Sequence, residues 1–236
     1  TGSGATPKKL TSFGKGFGFN LFWSPDSKKI AFIDYEQSIK VITTATGAIA
    51  EVDKTTKNTY SALWGYRPSW SPDSKWLAYS KATENLNGAI FLYSFEANKV
   101  HQVTSGYYND NRPVFDPAGK YLFFMTDRNF SPSYSSMDAS WIYSNSTQVA
   151  AAALDPATKS ILPARNDEVK ITATADSGSA KPEEKKTPPP VKEETKLAPD
   201  AKAVKIVVEQ LEARVEVLPL PSGNYGALYA ADGKLI

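Results

Sequence analysis

Short apolar runs alternate with polar turns along most of the chain. Residues 30–33, 76–79 and 121–124 are apolar, and each run follows a proline-containing turn by a few residues. Short runs that are rich in β-branched and aromatic side chains are typical of strands, and brief polar joints between them are typical of hairpins. The pattern therefore predicts antiparallel β-structure built from repeated hairpins.

One turn motif recurs at the start of three successive units. Trp-Ser-Pro-Asp-Ser-Lys at residues 23–28 returns at residues 70–75, and the looser copy Phe-Asp-Pro-Ala-Gly-Lys occupies residues 115–120. Successive prolines are spaced by 47 and 45 residues, within the range of propeller and solenoid repeats. Proline fixes φ at the first corner, Asp or Ser can bond nearby backbone N–H groups, and a small residue follows.

Four short strands fit within each repeat, which is the composition of a β-propeller blade. We therefore predict an all-β fold of propeller blades in which Trp23, Trp70 and Phe115 hold equivalent positions. Residues 1–165 would supply about three blades, and residues 204–236 would start one or more further blades. Because this falls at the lower end of the usual range of about 4–8 blades, the propeller is predicted to be incomplete.

Residues 166–203 have a different composition. They are rich in Lys, Glu and Pro and lack a periodic apolar face. High charge and proline content with little to bury predicts a disordered insert, and residues 181–197 in particular are expected to have no stable fold.

Composition narrows the possible partners. The formal net charge is +2 over 236 residues, so no global field favours nucleic acid or an acidic membrane surface. The absence of cysteine excludes disulfides, thiolate metal sites and a Cys nucleophile. No apolar run approaches the roughly 18 residues of a membrane-spanning helix. We expect no nucleic acid, membrane, metal or cofactor as a partner, and we interpret a chain that starts at Thr1 without Met as a piece of a longer protein.

Candidate chemistry is sparse. The single histidine, His101, falls in a predicted outer strand, and no elbow motif of the type Gly-x-Ser-x-Gly accompanies it. We therefore assign no catalytic residue and expect His101 to be a surface residue.

The third unit carries an expanded loop after its second strand. Expanded loops on rigid scaffolds often bind ligands, so Asp127, Arg128 and Tyr134 are candidate ligand-loop residues. The alternative is an Asp–Arg pair that only caps the end of the strand.

Several motifs resemble the tricorn protease family. The repeated turns resemble the PD40 repeats that tricorn proteases share with TolB-like propellers. Further segments are similar to tricorn homologues in particular and occur in the same order, at residues 124–132, 142–147, 210–215, 218–221 and 223–226. In that family an acidic residue is expected before the arginine at position 214, and Ala213 departs from this pattern.

The resemblance implies part of the second, seven-bladed propeller of a tricorn-like serine peptidase. The charged insert would then interrupt one propeller, whose channel would guide or gate peptide substrates. The catalytic serine, histidine and acidic residue would lie in later domains, beyond a PDZ-like module, so none is expected here. Expected partners are peptides, the remaining propeller, PDZ-like and peptidase domains of the parent chain, and further copies of that chain. The resemblance implies a cytoplasmic location, or a periplasmic or secreted one if a signal peptide preceded Thr1.

Two other functions remain open from the sequence. A TolB-like propeller would act as a protein-binding scaffold without enzymatic activity. An independent propeller hydrolase is disfavoured by the lone histidine and the missing nucleophile motif. The sequence that follows Ile236 would distinguish a peptidase from a scaffold.

Overall fold

The computed structural model describes residues 6, 9–12, 16–55, 57, 63, 65–129, 132–137, 139–142, 145–162, 203–231 and 233–236. This part of the chain forms sixteen β-strands and one short 3₁₀ turn. The predicted all-β class is confirmed. The expectation of disorder at residues 166–203 falls, except for its last residue, outside the described residues. In the described chain, no helix is long and apolar enough to cross a bilayer.

The first sheet is a four-stranded antiparallel meander. Its strands are β1 (Gly18–Trp23), β2 (Lys29–Asp34), β3 (Ser38–Thr43) and β4 (Ile49–Lys54), hydrogen-bonded in that order. The apolar run of β2 is buried on both of its faces, and β4 at the outer edge is mostly exposed.

The second sheet repeats this arrangement. Its strands are β5 (Ser69–Trp70), β6 (Trp76–Ala82), β7 (Gly88–Ser94) and β8 (Lys99–Gln102), again paired in chain order. The central strands β6 and β7 carry nearly continuous apolar runs because both faces of this sheet are covered by neighbours.

The third sheet begins in the same way and then departs. Strands β9 (Asp110–Phe115) and β10 (Tyr121–Thr126) form its first hairpin. The chain then leaves the sheet and forms a separate hairpin of β11 (Ser133–Ser135) and β12 (Ser140–Ile142).

The third sheet is completed from two distant parts of the chain. Strand β13 (Gln148–Ala153) pairs with β10, and β14 (Val215–Val217) pairs with β13 after the 3₁₀ turn Glu212–Arg214. Residues 154–214 therefore interrupt one sheet between its third and fourth strands. The predicted division placed residues 204–236 in further blades, whereas β14 belongs to the third sheet.

A further hairpin follows. Strands β15 (Ala230–Ala231) and β16 (Lys234–Leu235) pair with each other, and the backbones of Tyr229 and Ile236 exchange hydrogen bonds of 2.7 and 2.8 Å beyond them. Leu228, just before this hairpin, is buried against the outer face of the third sheet.

The repeated turns have the predicted geometry. In the first turn, the Asp26 carboxylate accepts hydrogen bonds from the Ser24 hydroxyl at 2.6 Å and the Lys28 N–H at 3.0 Å. Although partial burial opposes the change, these bonds hold the pKa of Asp26 below its usual value. The small residue of each turn has a left-handed backbone, at Ser27 (φ 58°), Ser74 (φ 60°) and Gly119 (φ 67°).

Trp23, Trp70 and Phe115 are equivalent in register but not in environment. Each ends the first strand of its sheet and pairs with the second residue of the strand after the turn. Trp70 packs on the first sheet and Phe115 on the second, with exposures of 8% and 4%. Trp23 is 55% exposed because no described sheet precedes it.

The core consists of apolar layers between successive sheets. Along β6, Leu77 and Tyr79 face the first sheet, and Ala78 between them faces the third. Full burial of side chains of this size contributes about 1.5–3 kcal/mol each. The Trp70 Nε1–H also donates to the Phe22 carbonyl at 3.0 Å, which ties the second sheet to the first strand of its neighbour.

Residues 203–209, here called the strap, return the chain to the third sheet. The Val207 N–H donates to the Leu154 carbonyl at 2.9 Å. The Arg214 guanidinium donates to the carbonyls of Ala153 and Glu209, both at 2.9 Å, and to that of Val207. Alternate strap residues pack on the core between the second and third sheets, namely Val204, Ile206 and Val208.

Replacing the two register-equivalent tryptophans should have unequal effects. Trp70→Ala removes a buried ring and its hydrogen bond, so we expect it to lower the unfolding free energy by about 3–5 kcal/mol. Trp23→Ala removes an exposed ring and should cost about 0.5 kcal/mol. Denaturant unfolding followed by circular dichroism measures both values, and equal losses would contradict the packing described for Trp70.

Arg214 should hold the strap in place. Arg214→Met removes three charge-assisted hydrogen bonds at once, and we expect a loss of about 1.5–3 kcal/mol in local stability. Hydrogen exchange at the Val207 amide should accelerate, while exchange at the Ile90 amide in β7 should not change. Unchanged protection of Val207 would show that strap packing alone is sufficient.

Candidate functional site

Asp127 lies just after β10 and joins two loops. The Asn109 side-chain amide donates to its Oδ2 at 3.0 Å, and the Thr147 hydroxyl donates to its Oδ1 at 3.1 Å. The carboxylate therefore holds the start and the return of the expanded loop close to the loop that precedes β9. Its hydrogen bonds are to neutral groups of the protein.

Arg128 lies in a polar cluster with Asp110 and Glu212. Its Nη2 is 3.3 Å from Asp110 Oδ2 and 3.7 Å from Glu212 Oε1. Its Nε–H donates to the Thr126 hydroxyl at 3.1 Å, and the guanidinium carbon lies 4.6 Å from the centre of the Tyr108 ring. The ion pairs of Arg128 are with these two acids rather than with Asp127.

The Asp110 carboxyl is fully buried at the start of β9. Burial raises its pKa, and the Thr126 hydroxyl and the Arg128 guanidinium partly offset this effect. The hydroxyl and the guanidinium therefore both favour the ionised form of a buried acid.

Tyr134 lies on the separate β11–β12 hairpin. Its ring packs edge-on against Trp141 with 5.3 Å between ring centres, and the residue is 57% exposed. The structure thus places Asp127 and Arg128 together at the end of β10 and Tyr134 on another element. A ligand at these three residues stays a prediction.

His101 lies in β8, the outermost strand of the second sheet, as the sequence predicted. It is half-buried, with its ring centre 6.1 Å from that of Trp76. Within the described ranges, no group of three or more His, Cys, Asp or Glu side chains is placed to hold a metal ion.

A cavity lies where the first strands of the sheets meet. Its volume is about 230 Å³, and it is bordered by β1, β5, β9 and the segment 227–230 that leads into β15. Two arginines reach it, Arg67 just before β5 and Arg112 within β9. Neither arginine was predicted from the sequence, although each stands before a proline and five positions before the proline of its turn.

The backbone of β9 explains how Arg112 reaches the cavity. Arg112 has a left-handed backbone (φ 52°), and the pairing of β9 with β10 shifts register beside it. Such a bulge on an edge strand redirects a side chain and accommodates the missing N–H of Pro113. Asn20 holds the matching position in β1 and has the same left-handed conformation (φ 49°).

Comparison with known proteins decides the family. Residues 2–236 match the family model described as the tricorn protease second beta propeller domain. The chain belongs to this family. The resemblance stated from the sequence is confirmed, and the three four-stranded sheets are propeller blades.

Individual tricorn relatives agree with this assignment. Tricorn protease homolog 1 of Streptomyces coelicolor is 26% identical over 131 residues, which is 56% of this chain and 12% of that protein. A crystal structure of the tricorn protease superposes over 90% of this chain with a TM-score of 0.62 and 16% identity, and the match covers 18% of its own length. The chain thus corresponds to a small part of each relative, and the structural match shows the fold.

A TolB structure from Acinetobacter baumannii is a more distant match. It has 22% identity and a TM-score of 0.42 over 64% of this chain and 41% of its own.

In a propeller, the blades surround a central channel. The cavity of this chain lies between the first strands of three such blades.

Breaking the Arg128 pair should be costly, and a second substitution should reverse the loss. Arg128→Met leaves the Asp110 carboxylate buried without its cation, so we expect a loss of about 3–5 kcal/mol in unfolding free energy. Adding Asp110→Asn removes the charge and should restore most of the loss. Urea unfolding of the unsubstituted protein, the two single variants and the double variant measures the coupling energy between the two residues. Additive losses of unfolding free energy would contradict a direct pair.

The contribution of Asp110 to the unfolding free energy should depend on pH in a defined direction. The pKa of Asp110 is raised in the folded protein, so its ionised form opposes folding. The unfolding free energy of the unsubstituted protein should therefore fall relative to Asp110→Asn as pH rises from about 4 through the folded-state pKa, and the difference should then stay constant. A difference independent of pH would show that Asp110 does not titrate in this way.

Proposed function

We propose that this propeller segment guides peptide substrates through its channel to the peptidase domains of a tricorn-like serine peptidase. The observation that carries the proposal is the cavity between the first strands of successive blades. Its wall combines apolar side chains such as Phe22 and Val114 with the cationic side chains of Arg67 and Arg112, which suits a peptide.

The segment contributes no catalytic group in this proposal. Activation of a serine needs a base within hydrogen-bond reach that is itself oriented by a third group. His101 lies on the fourth strand of its blade, and the cavity borders the first strand. Neighbouring strands are about 4.8 Å apart, so the imidazole stands roughly 14 Å from the cavity wall.

The parent chain would supply the rest of the enzyme. Family membership supports a PDZ-like module, a peptidase domain and the remaining blades on the same polypeptide, and we propose a homo-oligomer located in the cytoplasm. The chain matches 12% of the Streptomyces homolog, which leaves room for all of these parts.

Blocking the channel should reduce cleavage of long peptides. Ala227 is exposed at the cavity, so Ala227→Trp should narrow the channel without disturbing the core. In the intact protein we expect kcat/KM for unfolded peptides of about ten residues to fall at least ~10-fold. Cleavage of a very short fluorogenic substrate should change less, because it needs less of the channel.

A matched substitution controls for surface effects. Ala97 is exposed in the turn before β8, and Ala97→Trp should leave both activities unchanged. Residues 1–236 alone should cleave nothing. An intact protein that cleaves no peptide would contradict the proposal and favour the scaffold function, and cleavage by residues 1–236 that His101→Ala abolishes would contradict the non-catalytic assignment.

A further inference from the structure

We propose that Arg67 and Arg112 form a carboxylate-binding pair on the channel wall. The pair would select peptides that carry a carboxylate, either on an acidic side chain or at the C-terminus. This inference deepens the proposed function and rests on it for the identity of the ligand as a peptide.

The two arginines occupy the same position in successive blades. Each is followed by a buried proline, Pro68 or Pro113, and then by the aromatic residue that ends the first strand. Both side chains line the same cavity, one from each of two neighbouring blades. Two cations on one cavity form a local positive site in a protein whose net charge is only +2.

Local features of the chain restrict both arginines. The Arg67 Nη1–H donates to the carbonyl of its own neighbour Tyr66 at 3.0 Å, which restricts the guanidinium. Arg112 sits on the bulge of β9 with its left-handed backbone. A side chain held in this way loses less conformational entropy when it binds a ligand.

The surroundings favour an anion at this place. The described residues that line the cavity include no acid. None of the ion pairs in the described part of the chain involves Arg112. The remaining wall is mostly apolar, formed by Phe22, Pro68, Pro113, Val114, Leu228 and Tyr229.

Arginine suits a carboxylate better than lysine does. Its planar guanidinium can bond both carboxylate oxygens at once, and such charge-assisted pairs are about twice as strong as neutral hydrogen bonds. Apolar walls exclude water and strengthen the attraction. Since the charge of the whole chain is nearly balanced, the chain offers no broad field for a nucleic acid, and a peptide carboxylate is the better fit.

The test measures peptide binding to the intact protein by fluorescence anisotropy. Three labelled peptides of equal length are compared: a neutral one with an amidated C-terminus, the same peptide with one internal Glu, and the neutral one with a free C-terminus. We expect at least one carboxylate peptide to bind ~10-fold tighter than the neutral amide. The two carboxylate peptides distinguish a side-chain carboxylate from a terminal one.

Substitutions then assign the preference to the pair. Arg67→Gln with Arg112→Gln should abolish the preference and leave binding of the neutral amide unchanged. Arg67→Lys with Arg112→Lys should restore part of it, because the charge returns without the bidentate geometry. Lys28→Gln with Lys99→Gln removes the same charge from exposed positions outside the cavity and should preserve the preference.

Several results would overturn the inference. These are a preference that survives the double Gln substitution, a preference that the Lys28 and Lys99 control loses equally, or competition by a single-stranded oligonucleotide as strong as that by the acidic peptide. Arg-dependent binding without any cleavage would support this pair and contradict the proposed function. Cleavage with no charge preference would contradict this inference alone.

Discussion

The packing of each sheet on the face of its neighbour is the interaction on which the rest of this propeller segment depends. The second blade is covered on both faces, since its Tyr79 packs on the first blade and its Ala78 and Ile90 pack on the third. This stacking sets the separation of successive first strands. Hydrogen bonds then tie them in pairs, from Trp70 to the Phe22 carbonyl and from the Phe115 N–H to the Ser69 hydroxyl. The cavity between the first strands follows from this packing of blade on blade.

The hairpins could be predicted from the sequence because their signals are local. Proline, Asp26 and a small left-handed residue define a turn within a few positions, and the apolar runs beside it define strands. Membership of β14 in the third blade could not be predicted in this way. Its pairing with β13 depends on tertiary contacts across the 154–214 interval, and local pattern carries no information about them.

In the candidate site, too, some features have a local sequence signal and others depend on tertiary contacts. Loop expansion pointed to Asp127 and Arg128, but the partners of Arg128 are Asp110 and Glu212, which are far from it in sequence. Arg67 and Arg112 carried a local signal in the repeated Arg-Pro pair. Their position at the cavity depends on the bulge of an edge strand and on which strands lie next to each other. Both depend on the assembled fold.

During synthesis, the third blade remains one strand short for longer than its neighbours do. Arg214, which immediately precedes β14, follows its hydrogen-bond partner Ala153 by 61 residues. At a ribosomal rate of ~5–20 residues per second, the last strand emerges ~3–12 s after β13. An apolar strand with an open edge can pair with other nascent chains during that interval. The yield of correctly folded protein should therefore depend on the speed of translation through the interrupted blade.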